Sequence, residues 1–252
     1  MIPTGLRRIF DSLGRCAVLF SGGHDSEVLL RVAVNTLGPD MVISLTAASP
    51  FLAGFYTDVV RAVTEELGLE PVIAGTPLLE DPSITANDER RCYFCKKTIY
   101  RVLKSEARSR NFGFVMDGTN LDDLGAERPG LAAALEESII HPFVQAGMGR
   151  RDITELGRAL GTSEEGRPSD SCLATRIPPG TLITRGLLGL VEEMEAPLRP
   201  LVSGRFRVRA YPGILAVEYC EADREAVEKN TGKLRSIAGG AGLSIELRKQ
   251  VD

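Results

Sequence analysis

Cys16-Ala17-Val18-Leu19-Phe20-Ser21-Gly22-Gly23-His24-Asp25-Ser26 begins with five apolar residues and ends in a short polar stretch containing two glycines. The apolar run reads as a buried strand, and residues 27–37 carry apolar side chains at helical spacing. A glycine pair between a strand and a helix lets the backbone turn sharply and approach a ligand closely. The helix that follows presents free N–H groups and a positive dipole end to an anion. Ser21 and Ser26 add hydroxyl donors, and Asp25 is of the type that holds a magnesium ion bound to phosphates. No lysine follows the glycines, which excludes the loop that cradles a γ-phosphate in many ATPases. An ordinary capped strand-to-helix turn shares the bare double glycine; the full pattern is far more specific.

Further along, residues 41–45, 71–74 and 113–116 read as three more strands. Val59, Val60, Val63 and Leu67 mark an amphipathic helix that stops at Gly68. Strands alternating with helices predict an α/β fold: a doubly wound parallel sheet with helices on both faces. Residues 75–91 are polar and aperiodic, which reads as a lid or binding segment, or as a tolerated surface insertion. After Gly166 come the turn-rich stretches Arg167-Pro168-Ser169-Asp170-Ser171 and Ile177-Pro178-Pro179-Gly180. A helix over 187–198, strands at 206–211 and 214–219, a helix from Asp223 and a strand at 243–247 then make a smaller α+β domain. The expected division is 1–168 and 169–252.

The chain has 252 residues, 43 % hydrophobic and 25 % charged, which is globular composition. It has no run of 18 apolar residues, so no membrane span is expected, and no N-terminal apolar segment with a basic flank. A cytoplasmic protein is the expectation. The formal net charge of −4 argues against a general nucleic-acid binder. The two histidines supply a His-based triad or zinc centre poorly, so the chemistry must lean on Cys, Asp, Glu, Arg and backbone.

The five cysteines are Cys16, Cys92, Cys95, Cys172 and Cys220. Cys92 and Cys95 form a C-x-x-C flanked by Arg90, Arg91, Lys96 and Lys97, cations that favour thiolate. That spacing suits a shared metal or iron–sulfur site. With Cys172 the set is three thiolates, one short of a tetrahedral centre. A zinc site would draw its fourth ligand from Cys16, Cys220, His24 or His141, although Cys16 reads as core. A redox-active pair is a further reading of Cys92 and Cys95.

The glycine loop resembles the PP-loop of the ATP pyrophosphatase superfamily, whose members cleave ATP between the α and β phosphates. In order along the chain stand this loop, the C-x-x-C, Asp117-Gly118-Thr119-Asn120-Leu121-Asp122-Asp123, Arg128-Pro129-Gly130, Cys172-Leu173-Ala174-Thr175-Arg176, Arg207-Val208-Arg209 and Ala216-Val217-Glu218. That series resembles the LarE family of ATP-dependent sulfur transferases, in its three-cysteine type. The resemblance implies adenylation of a carboxylate, pyrophosphate release and insertion of sulfur to give a thiocarboxylate, as in nickel-pincer cofactor biosynthesis. It implies that Ser21, Gly22, Gly23, Asp25, Ser26, Asp117 and Asn120 bind ATP. Arg176, Arg207, Arg209, Asp123 and Glu195 would face the substrate, with Glu218 a weaker candidate. Asp25 and Cys172 would be catalytic, and Cys92, Cys95 and Cys172 would hold a [4Fe-4S] cluster, with Mg2+ accompanying ATP. The implied partners are a small carboxylate substrate, sulfide or another sulfur donor, and further copies of the chain in a homo-oligomer.

Two other mechanisms stay open on this scaffold: sacrifice of the Cys172 sulfur, and thiolation of tRNA. A nucleotide-binding regulatory module without turnover is a third reading. In the PP-loop resemblance His24 stands where a small or aliphatic residue is frequent, and it reads as a tolerated loop side chain rather than a catalyst. Two features depart from the LarE pattern: Pro179 stands where Tyr is frequent, and no Gly/Ser-rich tail follows the last strand.

Overall fold

Cys16, Ala17, Val18 and Leu19 form β1 (Cys16–Leu19), which is buried along its whole length in a computed structural model that describes residues 1–125, 129–162, 172–204 and 206–249. Successive strand residues face opposite sides of a sheet. Accordingly Cys16 and Val18, followed by Phe20, enter one apolar core, while Ala17 and Leu19 enter another. A strand with a core on each face must be apolar throughout, which is why its sequence is a run without alternation.

β1 pairs in parallel with β2 (Val42–Ala48) and β4 (Phe114–Met116), and β2 with β3 (Pro71–Gly75), giving the order β3-β2-β1-β4. Leu6 and Phe10 of α1 (Thr4–Leu13) lie in the first core with Val28, Leu29 and Val32 of α2 (His24–Leu37). Val60 and Val63 of α3 (Phe55–Glu66) complete that side with Ile153 and Leu156 of the later helix Arg150–Ala159. Helices thus cover both faces, and the expected α/β class with a parallel sheet is observed. The chain runs from β1 outward to β3 and then crosses to β4 on the other side. The C-terminal ends of β1 and β4 therefore flank the point where strand order reverses, the place where open α/β sheets bind ligands.

The helix of Asp25 begins at His24, three residues before the apolar periodicity. Between β3 and β4 lie α4 (Pro82–Thr85) and the long α5 (Arg91–Ser109); beyond β4 come α6 (Pro129–Glu136), α7 (Pro142–Gln145) and α8 (Arg150–Ala159). Tyr100, Leu103 and Ala107 of α5 fill the second core with Ala133 and Ala134 of α6.

The chain divides into two compact units. The larger comprises Met1–Ser49, Gly54–Leu78 and Cys92–Arg167, and the smaller comprises Pro50–Ala53, Leu79–Arg91 and Pro168–Asp252. Within the smaller unit β5 (Phe206–Tyr211) pairs antiparallel with β6 (Ile214–Tyr219) across a turn at Gly213, and β6 pairs in parallel with β7 (Ser244–Lys249) after the crossover helix Arg224–Gly240. The preceding helix α9 (Arg185–Glu195) is capped by Thr184, whose Oγ1 accepts the Leu187 amide at 3.2 Å; Arg224–Gly240 is α10. The sheet is mixed.

The aperiodic segment 75–91 contains a 3-10 turn followed by α4, with Ile84 and Asn87 buried and about half of its residues exposed. Asn87 takes a left-handed backbone (φ 58°) and donates through Nδ2 to the carbonyls of Ile177 and Pro178 at 3.1 and 2.8 Å. The amide of Ile183 returns to the Thr85 carbonyl at 2.8 Å. Its order comes from hydrogen bonds, which leave no hydrophobic period. The predicted helix 187–198 ends at Glu195, and the last strand runs to Lys249. The expected turn at 167–171, the boundary at 168 and Arg128 lie outside the described residues. No helix among the described residues is long and apolar enough to cross a membrane.

Glu195 anchors the smaller unit. It is fully buried and accepts from Arg176 Nε at 2.9 Å, Arg199 Nη2 at 2.7 Å and the Val208 amide at 3.0 Å. Val208 lies on the edge strand β5, whose outward N–H has no neighbouring strand to meet, and the carboxylate takes that place. Arg176 is also fully buried, so losing Glu195 strands a guanidinium in the interior. Glu195→Ala should cost about 3–5 kcal/mol. A lower urea midpoint read from signals of the smaller unit checks this; an unchanged midpoint would remove the anchor role.

Candidate functional site

The strand-to-helix loop is held by its own hydroxyls. Ser26 Oγ donates to the Gly23 carbonyl at 2.8 Å, lies 3.3 Å from Ser21 Oγ and accepts the Ser21 amide at the same distance. Gly22 takes φ 82°, and a Cβ there would come within 2.9 Å of the Tyr56 ring. Gly23 occupies the N-cap of α2 and, as glycine, makes no side-chain cap hydrogen bond.

The loop after β4 closes against this turn. A Cβ on Gly118 would lie 2.9 Å from Ser26 N and 3.0 Å from Asp25 C, backbone atoms that cannot give way. Asn120, fully buried, donates through Nδ2 to Asp25 Oδ2 at 2.9 Å and accepts the Asp122 amide on Oδ1 at 2.9 Å. Asp123 accepts the Asn120 amide at 3.2 Å, completing a capping box around residues 120–123. Asp123 thus shapes the loop that carries Asn120.

Asp117 sits beneath this loop with three donors: His141 Nδ1 at 2.7 Å, Tyr100 Oη at 2.9 Å and the Thr119 amide at 3.1 Å. Burial by itself would raise the Asp117 pKa. The His141 hydrogen bond, the charge of Lys96 and the Thr119 amide outweigh burial and bring it down to about 2, from an ordinary 3.8. The same carboxylate, together with burial, pushes the Tyr100 hydroxyl far up. Asp117 is therefore an ionised hub that accepts from every side.

The other expected residues lie on α5 and in the smaller unit. Cys92 and Cys95 lie one turn apart on α5, the former exposed and the latter half-buried. Cys172 is exposed at the start of a 3-10 turn, where its carbonyl accepts the Thr175 amide and hydroxyl at 2.9 and 2.8 Å. Cys16 is core, and burial pushes its thiol up to about 12. Among the described residues no three or more His, Cys, Asp or Glu side chains are gathered as metal ligands. Cys92 and Cys95 belong to the larger unit and Cys172 to the smaller.

Arg207 and Arg209 share the face of β5 opposite its buried residues Phe206, Val208 and Ala210. Arg209 donates to Glu218 Oε2 at 2.9 Å and to the Thr175 carbonyl at 3.0 Å, tying the strand to the turn that follows Cys172. Arg176 and Glu195 are turned inward upon each other. His141 and Tyr100 were not singled out from sequence as partners of Asp117; the scarcity of histidine was the available signal.

The four-stranded parallel sheet, with a glycine-rich strand-to-helix loop at its switch point, defines an α/β protein with a Rossmann-type sheet. Comparison with protein-family models finds no match. Among individual relatives, an uncharacterised protein of Synechocystis is 33 % identical over 213 residues, 84 % of this chain and 79 % of its own. An uncharacterised protein of Methanocaldococcus jannaschii is 32 % identical over 203 residues, covering 80 % and 76 %. The pyridinium-3,5-bisthiocarboxylic acid mononucleotide synthase of Lactiplantibacillus plantarum is 32 % identical over 212 residues, covering 83 % and 76 %. The chain belongs to the family of that synthase, the LarE family.

Two outcomes test the site's construction. Gly118→Ala forces a methyl into the backbone of α2 and should destabilise the larger unit by about 1–3 kcal/mol, which calorimetric melting reads. The lowered Asp117 pKa means that its contribution, about 2 kcal/mol, is complete above pH 4 and disappears as the pH falls through 2. His141→Ala should narrow that window, moving the acid-unfolding midpoint upward in a circular-dichroism titration.

Proposed function

We propose that this chain is an AMP-forming, ATP-dependent sulfur transferase that converts a substrate carboxylate to a thiocarboxylate, as in nickel-pincer cofactor biosynthesis. The observation that carries the reading is the Ser21–Ser26 loop at the N-terminus of α2 and the switch point, with the Asp117–Asn120 loop locked against it. Relationship to a pyridinium-3,5-bisthiocarboxylic acid mononucleotide synthase supports the substrate class. A small-molecule carboxylate, a separate sulfur source, a cytoplasmic setting and a homo-oligomeric state belong to the same proposal, as does a division of roles between residues 1–168 and 169–252.

In this reading a carboxylate oxygen of the substrate attacks the α-phosphorus of ATP. The bond to the β-phosphate oxygen breaks, giving acyl-AMP and pyrophosphate. Backbone amides at the N-terminus of α2 and the Ser21 hydroxyl would receive the departing negative charge, while Ser26 Oγ holds the loop by donating to the Gly23 carbonyl. Asp25, whose carboxylate is oriented by Asn120, fits a magnesium ion, and that ion would neutralise phosphate charge when bound. Asp117 is fully engaged with protein donors, so its part is to shape the loop. Arg207 and Arg209 suit an anionic group of the substrate.

Sulfur then displaces AMP at the acyl carbon. Exposed Cys172 supports direct attack by its thiolate to give a thioester. Loss of the Cα proton and cleavage of the Cβ–S bond would release the thiocarboxylate and leave dehydroalanine. The C-x-x-C pattern supports the other version, in which a [4Fe-4S] cluster on Cys92, Cys95 and Cys172 supplies exchangeable sulfide when bound. Asp25→Asn should lower magnesium-dependent AMP formation at least about tenfold with the fold intact; ADP as the product would remove the assignment. Intact-mass analysis after turnover separates the sulfur routes. Loss of the elements of hydrogen sulfide at Cys172 after one turnover identifies sacrifice. Repeated turnover with sulfide, an unaltered Cys172 and iron in protein purified without oxygen identifies the cluster.

A further inference from the structure

The chain has two histidines, and both lie in the larger unit with Nδ1 turned toward an aspartate of the site. His141 meets Asp117 at 2.7 Å, and His24 faces Asp25 Oδ1 at 3.6 Å. The surroundings of His24 give it a defined seat. Its side chain is 9 % exposed, and its Nε2 lies 3.1 Å from Thr162 Oγ1. Gly157 of α8 leaves the space it occupies: a Cβ there would come within 2.7 Å of His24 Nε2 and 2.5 Å of Thr162 Oγ1. Thr162 is fixed in turn by its amide, which donates to the Gly157 carbonyl at 2.8 Å.

Electrostatics selects the tautomer. With Nδ1 bare, a ring lone pair would face the Asp25 carboxylate. With hydrogen on Nδ1, the ring turns a positive dipole end toward Oδ1, and Nε2 accepts from the Thr162 hydroxyl. Asn120 donates to Asp25 Oδ2, while the His24 ring, 3.6 Å away and beyond hydrogen-bond distance, acts on Oδ1 through its charge distribution.

We propose that His24 is a positioning residue for Asp25. Seated on α8 by Thr162 and the Gly157 notch as the Nδ1–H tautomer, it steadies one carboxylate oxygen while Asn120 holds the other. The direction in which Asp25 meets magnesium–nucleotide is thereby fixed. This rests on the reading of Asp25 as the residue that meets the metal.

Ring-nitrogen NMR of the unmodified protein, assigned with His141→Gln, should show His24 with hydrogen on Nδ1 and a bare Nε2; the reverse tautomer overturns the proposal. Calorimetric titration with a non-hydrolysable ATP analogue, with and without magnesium, gives the second readout. Thr162→Val and Gly157→Ala disturb the seat without altering His24 or Asp25. Each should weaken magnesium-dependent binding about tenfold and magnesium-free binding less than about twofold. His24→Leu should do the same, while His24→Asn, which keeps an N–H near the Nδ1 position, should return to within about threefold of the parent. If Asp25→Asn abolishes the magnesium dependence while Thr162→Val and His24→Leu leave it unchanged, the positioning role is overturned. If Asp25→Asn also leaves it unchanged, the metal reading of Asp25 fails, and the tautomer alone decides whether His24 holds the carboxylate.

Discussion

A side chain cannot fit between the loop after β4 and the first turn of α2, and the site is organised by that closeness. With residue 118 reduced to glycine, the 117–120 backbone lies directly on Asp25 and Ser26. The contact aligns the loops from the two strands that flank the switch point, so Asn120 reaches Asp25 with a short, well-placed amide. It also places the N-terminus of α2 beside a second polar loop. Such pre-alignment removes reorganisation that would otherwise accompany ligand binding.

Beneath the contact, Asp117 supplies the electrostatic footing. An ionised carboxylate with little access to water is costly unless donors surround it. Here a ring N–H, a phenol and a main-chain amide do so, from three parts of the larger unit. The smaller unit repeats the device at Glu195, where two guanidiniums and an edge-strand amide converge on one carboxylate. In both places a buried acid sets the path of a loop or strand that apolar packing alone would leave free to slide.

The parts legible in the sequence were those with a hydrophobic period or a motif. β1 showed itself as an apolar run because both its faces are buried, and the glycine loop followed from its place between strand and helix. Helix α5 was not legible, because its buried stripe is only Tyr100, Leu103 and Ala107 among many charged residues. The inward pairing of Arg176 with Glu195 was equally hidden: an arginine and a glutamate 19 positions apart read as surface or as ligand contacts. His24 and Thr162 are 138 positions apart, and the glycine that brings them together carries no signal of its own.

The segment around α4 has a consequence for biosynthesis. Asn87 and Thr85 hydrogen-bond to residues 177–183, about ninety positions later in the chain. During synthesis these residues leave the ribosome well before their partners exist, while most of the parallel sheet and its helices can already assemble. Buried Ile84 must wait, exposed, for the later strands and helices to arrive. Proteolysis or chaperone capture of a nascent chain should therefore concentrate on this stretch, and a fragment beginning after it would lack part of its own interior.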